Sequence, residues 1–66
     1  VKPGDLIFFS KNGRGKISHV ALVVDHDREG ISVAHSTTSR GVIVENISNS
    51  RYWKPKIKFA RDVISR

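Results

Sequence analysis

The chain has 66 residues, 38% of them hydrophobic, and twelve Lys and Arg against six Asp and Glu give it a formal charge of +6. This length allows one small domain and excludes two, and no apolar run is long enough to cross a bilayer. Cysteine is absent, which excludes disulfides and any thiol nucleophile within these residues. So basic a surface favours anionic partners such as nucleic acid, anionic lipid or teichoic-type polymers. Because the sequence begins with Val1 and carries no leader, we expect a piece of a longer protein.

Short runs rich in Val, Ile and Phe, separated by Gly, Asn, Asp and Ser, predict a mostly β chain of antiparallel strands. In chain order the predicted strands are residues 6–9, 17–25, 31–36, 42–44 and 57–64. A Pro-Gly-Asp turn at residues 3–5 leads into the first strand. Residues 49–53 are predicted to form a short helical turn or an irregular loop. In the last strand, Ile57, Phe59 and Val63 are expected to share one face.

Two histidines are placed to meet across the hairpin formed by the second and third strands. Side chains alternate between the faces of a strand, so His19 and His35 each share a face with the odd-numbered residues around them. If the hairpin is centred near Asp27, the numbers of opposed residues sum to about 54 and His19 lies directly opposite His35, unless a bulge moves the alignment. One imidazole then hydrogen-bonds the other, which is the base-and-orienter part of a nucleophile–base–orienter triad.

A structural role and a zinc-binding role are the alternatives for these histidines. A single histidine on a half-buried strand is more often structural than functional. A zinc site needs three or four ligands, and the remaining histidine, His26, is expected in the far loop with no cysteine to help. We therefore predict no metal and no cofactor. Ser18, Ser36 and Arg40 flank the histidines in sequence, and the pattern assigns them no role.

Four segments of the sequence are recognisable by their order and spacing. They are PGDLIFF at residues 3–9, ISHVALVV at 17–24, VAHS at 33–36 and RGV at 40–42. Each is common by itself. Together they resemble the C-terminal half of the NlpC/P60 family of papain-like peptidases, most of which cut peptidoglycan stem peptides, and the resemblance extends from Lys2 to Val63.

The resemblance implies a role for each histidine. His19 matches the catalytic base of the family, His35 matches the third, polar member that orients the base, and Asp5 is then structural. The family's Asp-Cys-Ser stretch, at a helix N-terminus, precedes the matching segment and is missing here, so this chain alone is expected to be inactive. In the intact enzyme such a cysteine attacks as a thiolate, its pKa lowered by the imidazolium of His19 and by the helix N-terminus. Oxyanion donors are expected from the missing half.

The resemblance also implies a fold and partners. Residues 1–66 would be a single partial domain, the β half of an α+β papain-like fold, built as a small antiparallel sheet or a partly closed SH3-like barrel of about five strands. The implied partners are peptidoglycan stem peptides as the substrate, and the N-terminal helical half of the same domain. Without that half, one face of the sheet is expected to be an exposed apolar patch. The implied location is the bacterial cell envelope or the secreted fraction.

Two alternatives remain open from the sequence. The first is a small basic SH3-like module that binds cell-wall polymer or nucleic acid. Aromatic residues interleave with basic ones only at residues 52–54 and 58–59, and Trp53 is better explained as a core or rim residue of the sheet, so no specific nucleic acid is expected. The second is a catalytically dead relative kept as a scaffold.

Overall fold

The computed structural model describes residues 1–62, which form five antiparallel strands and one short helix. The strands are β1 (Leu6–Ser10), β2 (Ile17–Asp27), β3 (Gly30–Thr37), β4 (Gly41–Asn46) and β5 (Ile57–Arg61), and a 3-10 helix (Lys54–Lys56) precedes β5. Their order in the sheet is β4-β3-β2-β1-β5. The mostly β chain of five strands is confirmed, and it forms an open sheet with β4 and β5 at its edges. Residues 63 and 64 of the last predicted strand lie outside the described residues.

The turn before β1 is tied to β2. Gly4 has a φ of 98°, a left-handed conformation that favours glycine. Its N–H donates to the carbonyl of Val23 at 2.9 Å. The Asp5 carboxylate accepts hydrogen bonds from the backbone N–H of Lys2 at 3.1 Å and from its Nζ at 2.9 Å. This acid therefore closes the turn that delivers the chain into the sheet.

The hairpin of β2 and β3 has a different register from the one predicted. Val23 pairs with Val33, so the numbers of opposed residues sum to 56 on the side of the histidines, and a bulge near Val24 shifts the register toward the turn. The predicted sum of about 54, which assumed a turn centred near residue 27, was wrong because the strands continue to a turn at residues 28–29. Since the error is an even number of residues, both histidines keep the predicted face.

The two faces of the sheet differ in how they are covered. The inner face carries the buried core, and the segment after β4 closes over it, with Trp53 and Ile57 packed against that core. The core residues are Ile7, Phe9, Ala21, Val23, Val33 and Ile47. The outer face also carries apolar side chains, but it is open. Its most exposed members are Val20, Leu22, Val42 and Val44.

The prediction that Ile57 and Phe59 share a face was wrong. The pairing of β1 with β5 shifts register between Phe8 and Phe9, so that Ile57 lies opposite Phe9 and Phe59 lies opposite Phe8. Ile57 accordingly packs on the core, whereas Phe59 meets Phe8 on the outer face with ring centroids 4.9 Å apart. Val63 lies outside the described residues. Among residues 1–62, no helix has the length and apolar character that a membrane crossing requires.

Candidate functional site

The two histidines of the hairpin are in contact. Nε2 of His19 lies 2.7 Å from Nδ1 of His35, and their ring centroids are 4.9 Å apart. When the register of Leu22 with Ala34 is continued along both strands, the two histidines are diagonal rather than direct neighbours. Diagonal positions lie roughly 7–8 Å apart at Cα, which two imidazoles span. The predicted contact is confirmed, although by a different route.

The pair continues into a third residue on β4. Nε2 of His35 lies 2.6 Å from Oε2 of Glu45. A carboxylate only accepts hydrogen bonds, so the ring nitrogen donates. When His35 is neutral, its Nδ1 is consequently an acceptor, and the bond between the rings runs from Nε2–H of His19 to Nδ1 of His35. The Nδ1 of His19 is then the basic nitrogen of the chain of hydrogen bonds.

Aromatic side chains surround His19. The Trp53 ring stacks on it at 4.7 Å with an interplanar angle of 23°, and Phe9, its partner on β1, lies 5.5 Å away. Burial lowers the pKa of His19 below its ordinary value of 6.5, and the neighbouring His35 lowers it further. These surroundings favour the neutral imidazole near neutral pH, which is the form able to accept a proton.

His19 and Glu45 line a cleft of about 670 Å³, while the side chain of His35 is 0% exposed behind them. The flanking residues Ser18, Ser36 and Arg40 also line this cleft. Arg40 approaches the second carboxylate oxygen of Glu45 with Nη2 at 3.9 Å from Oε1. Other cations at the cleft are Lys11, Arg51 and Lys56. The arrangement is an imidazole held by hydrogen bonds and stacking at the wall of a cleft with several cations.

His26 takes no part in this cluster. It lies near the far end of β2, where its Nδ1 is 2.7 Å from the carbonyl oxygen of Val1. In the part of the chain that the structure describes, no three His, Cys, Asp or Glu side chains are grouped so that they could hold a metal ion.

Sequence reasoning missed Glu45 and the stacking role of Trp53. A signal for Glu45 was present, because alternation along residues 42–45 turns Val42 and Val44 to one face and Ile43 and Glu45 to the other. Glu45 pairs with Val33, and Ile43 pairs with His35. A charged residue on the apolar inner face requires a partner. Trp53 was expected at the core or rim, and it does pack on the core, but its position over His19 depends on the irregular segment after β4.

Comparison with known proteins finds a matching family and two similar relatives. The NlpC/P60 family profile matches residues 1–62. Gamma-DL-glutamyl hydrolase of Bacillus subtilis is 42% identical over 55 residues, covering 80% of this chain and 12% of that protein. Murein DD-endopeptidase MepS/Murein LD-carboxypeptidase of Escherichia coli K12 is 33% identical over 66 residues, covering 100% of this chain and 31% of that protein. No solved structure matches significantly.

The chain thus spans less than a third of the length of either relative. The family match nevertheless includes every described strand and all of the residues that form the cleft. The chain belongs to the NlpC/P60 family.

Proposed function

We propose that this chain supplies the general base, His19, and its orienting residue, His35, to a cysteine peptidase that cleaves amide bonds in peptidoglycan stem peptides. The observation that carries the proposal is the hydrogen bond between Nε2 of His19 and Nδ1 of His35. It leaves Nδ1 of a neutral His19 as the acceptor at a cleft wall. The nucleophile is a cysteine from a segment of the same protein outside these 66 residues.

In this mechanism His19 transfers protons and His35 holds its ring in place. Nδ1 of His19 accepts the proton of the thiol, and the thiolate attacks the carbonyl carbon of the scissile amide. The imidazolium that forms donates through Nε2–H to His35, which keeps the ring in place. It then gives the proton to the leaving amine, and a thioester remains. Water hydrolyses this thioester with His19 again as the base, and oxyanion donors come from outside these residues.

The fold of the complete domain is part of the proposal. Residues 1–66 form the β half of an α+β papain-like domain, and a helical half packs on the open outer face. Val42 and Val44 on that face are 79% and 64% exposed, and soluble proteins rarely leave contiguous apolar surface uncovered. On this account the 66-residue chain alone is inactive.

The names of the relatives support the substrate class. One is a murein endopeptidase and carboxypeptidase, and the other is a glutamyl hydrolase. Murein is peptidoglycan, and both activities are hydrolyses in which an oriented histidine base is useful. We accordingly place the working protein in the bacterial cell envelope or among secreted proteins.

The test uses the complete gene product and isolated murein peptides, with products identified by mass spectrometry. His19→Ala should lower kcat/KM by about 10²–10⁴-fold, the usual contribution of a general base. His35→Ala should cause a smaller loss, because the base remains but is less well oriented. His26→Ala is the matched control, since it removes the same ring from a site remote from the cleft. Unchanged activity in His19→Ala contradicts the proposal.

A binding module is the second candidate, and one observation favours it. The cleft carries four cations, Lys11, Arg40, Arg51 and Lys56, which suit an anionic polymer. Binding through phosphates weakens steeply as salt rises, whereas peptide cleavage follows the ionisation of thiol and imidazole. Tight, strongly salt-dependent binding of teichoic acid by a protein that cleaves no murein peptide would favour this second function.

A further inference from the structure

We propose that Glu45 is a positioning residue whose carboxylate fixes the tautomer of His35 and, through His35, holds the base His19 in its working tautomer. The inference rests on the proposed function because it concerns the same site, and it extends the histidine pair by one member. Glu45 does not touch the reacting atoms in this account. It acts through two successive hydrogen bonds.

The geometry gives a continuous chain of hydrogen bonds across three neighbouring strands. It runs from His19 on β2 to His35 on β3 at 2.7 Å and from His35 to Glu45 on β4 at 2.6 Å. The side chain of His35 is 0% exposed and that of Glu45 is 23% exposed. Water therefore has no access to the middle ring, and its two nitrogens depend on the two neighbours.

The carboxylate of Glu45 determines which ring nitrogens of His35 and His19 carry a proton. If Nε2 of His35 lost its proton, a nitrogen lone pair would face a carboxylate oxygen at hydrogen-bond distance, which is repulsive. With the proton on Nε2, Nδ1 accepts from His19, so the proton of His19 sits on Nε2 and the lone pair on Nδ1. Without an acceptor at Glu45, His35 can also donate through Nδ1, which would place the His19 lone pair on the wrong nitrogen.

The same carboxylate has an electrostatic effect. When His19 takes a proton, the new positive charge lies two hydrogen bonds from Glu45, which stabilises the imidazolium. Other charged groups face this network. Arg40 lies 3.9 Å from Oε1 of Glu45 and offsets part of its charge, and Lys11, Arg51 and Lys56 line the same cleft. Burial and the neighbouring His35 oppose protonation of His19, and Glu45 is the acidic side chain of the described cleft lining that opposes them.

The experiment measures the protons directly. The complete gene product is labelled with ¹⁵N in its histidine rings, and the ring nitrogen signals of His19 and His35 are followed with pH in the absence of substrate. In the wild type we expect one tautomer for each ring, protonated at Nε2. In Glu45→Leu we expect mixed tautomers and a titration midpoint of His19 at lower pH.

Glu45→Gln is the second variant, in case the leucine prevents folding. Its amide oxygen can still accept from Nε2–H, so the tautomers should persist while the midpoint of His19 falls, because the charge is gone. Glu29→Gln makes the same chemical change at the hairpin turn and should alter neither ring. In turnover, Glu45→Leu should lower kcat roughly tenfold to a hundredfold with little change in KM, less than the ~10⁴-fold loss known for a directly orienting carboxylate.

The outcomes separate this inference from the proposed function. Unchanged tautomers in Glu45→Leu, or an unchanged His19 midpoint in a folded Glu45→Gln protein, would overturn the role of Glu45, whatever the enzyme does. Full activity in His19→Ala would overturn the peptidase proposal. It would not change the tautomers measured in the wild type and in the Glu45 variants. The NMR readout needs no substrate, so each result is obtained independently of the other.

Discussion

The two faces of one sheet both carry apolar side chains but have opposite surroundings. Along β2, Ala21 and Val23 point into a closed core, while Val20 and Leu22 remain exposed. The inner face is completed by residues of this chain, because the segment after β4 brings Ile47 and Trp53 over it. The outer face has no such cover among residues 1–62. The chain therefore buries one face of its sheet with its own residues and leaves apolar side chains exposed on the other.

The largest expected effect comes from a substitution that makes the outer face unfavourable to bury. Val44→Lys adds a charge to the outer face, and if a helical half covers that face in the complete gene product, the substitution should lower the free energy of unfolding by about 2–3 kcal/mol. Thr38→Lys, at an exposed turn residue, is the matched control and should change stability by less than about 0.5 kcal/mol. Urea unfolding measures both. Equal, small effects would mean that the outer face stays in water.

A second pair of variants sharpens the comparison within the 66-residue chain itself. Val33 is 0% exposed on β3, and Val44 is 64% exposed on the neighbouring strand. Val33→Ala should cost about 2 kcal/mol, from two lost methyl groups and the cavity they leave, whereas Val44→Ala should cost less than about 0.5 kcal/mol. Trp53 fluorescence during urea unfolding reports on both. Similar losses at the two positions would show that this chain buries its outer face, for example by self-association.

The smallest expected effect is on how the stability of the fold changes at acidic pH. The pKa of His19 is lower in the folded chain than its ordinary value of 6.5, so the unfolded chain binds the proton more readily. The contribution of His19 to the free energy of unfolding is present above about pH 6.5. It is lost as the pH falls through the pKa that His19 has in the folded chain. His19→Gln should flatten this dependence. Thermal unfolding at a series of pH values tests this, and an identical slope in wild type and His19→Gln would exclude His19 as the cause.

Local patterns predicted more of the fold than of the site. The five strands and the shared face of the two histidines follow from alternation and turn residues, which are local properties of the sequence. The register did not follow, because the bulge near Val24 and the exact turn depend on how the hairpin packs. The same limit explains the error at Phe59, where a register shift against β1 reversed the face. Glu45 was missed because its partner His35 lies one strand away.

The turn at residues 28–29 has a practical consequence. It joins β2 and β3 at the end of the hairpin away from the histidines, roughly 25 Å along the strand from His19. On the β3 side it is tethered by Asn46, whose Nδ2 donates to the carbonyl of Glu29 at 2.7 Å. An epitope or fluorophore-bearing peptide inserted directly after Arg28 should leave that tether in place. The hairpin thus offers a handle for immobilising the protein with its cleft facing away from the support.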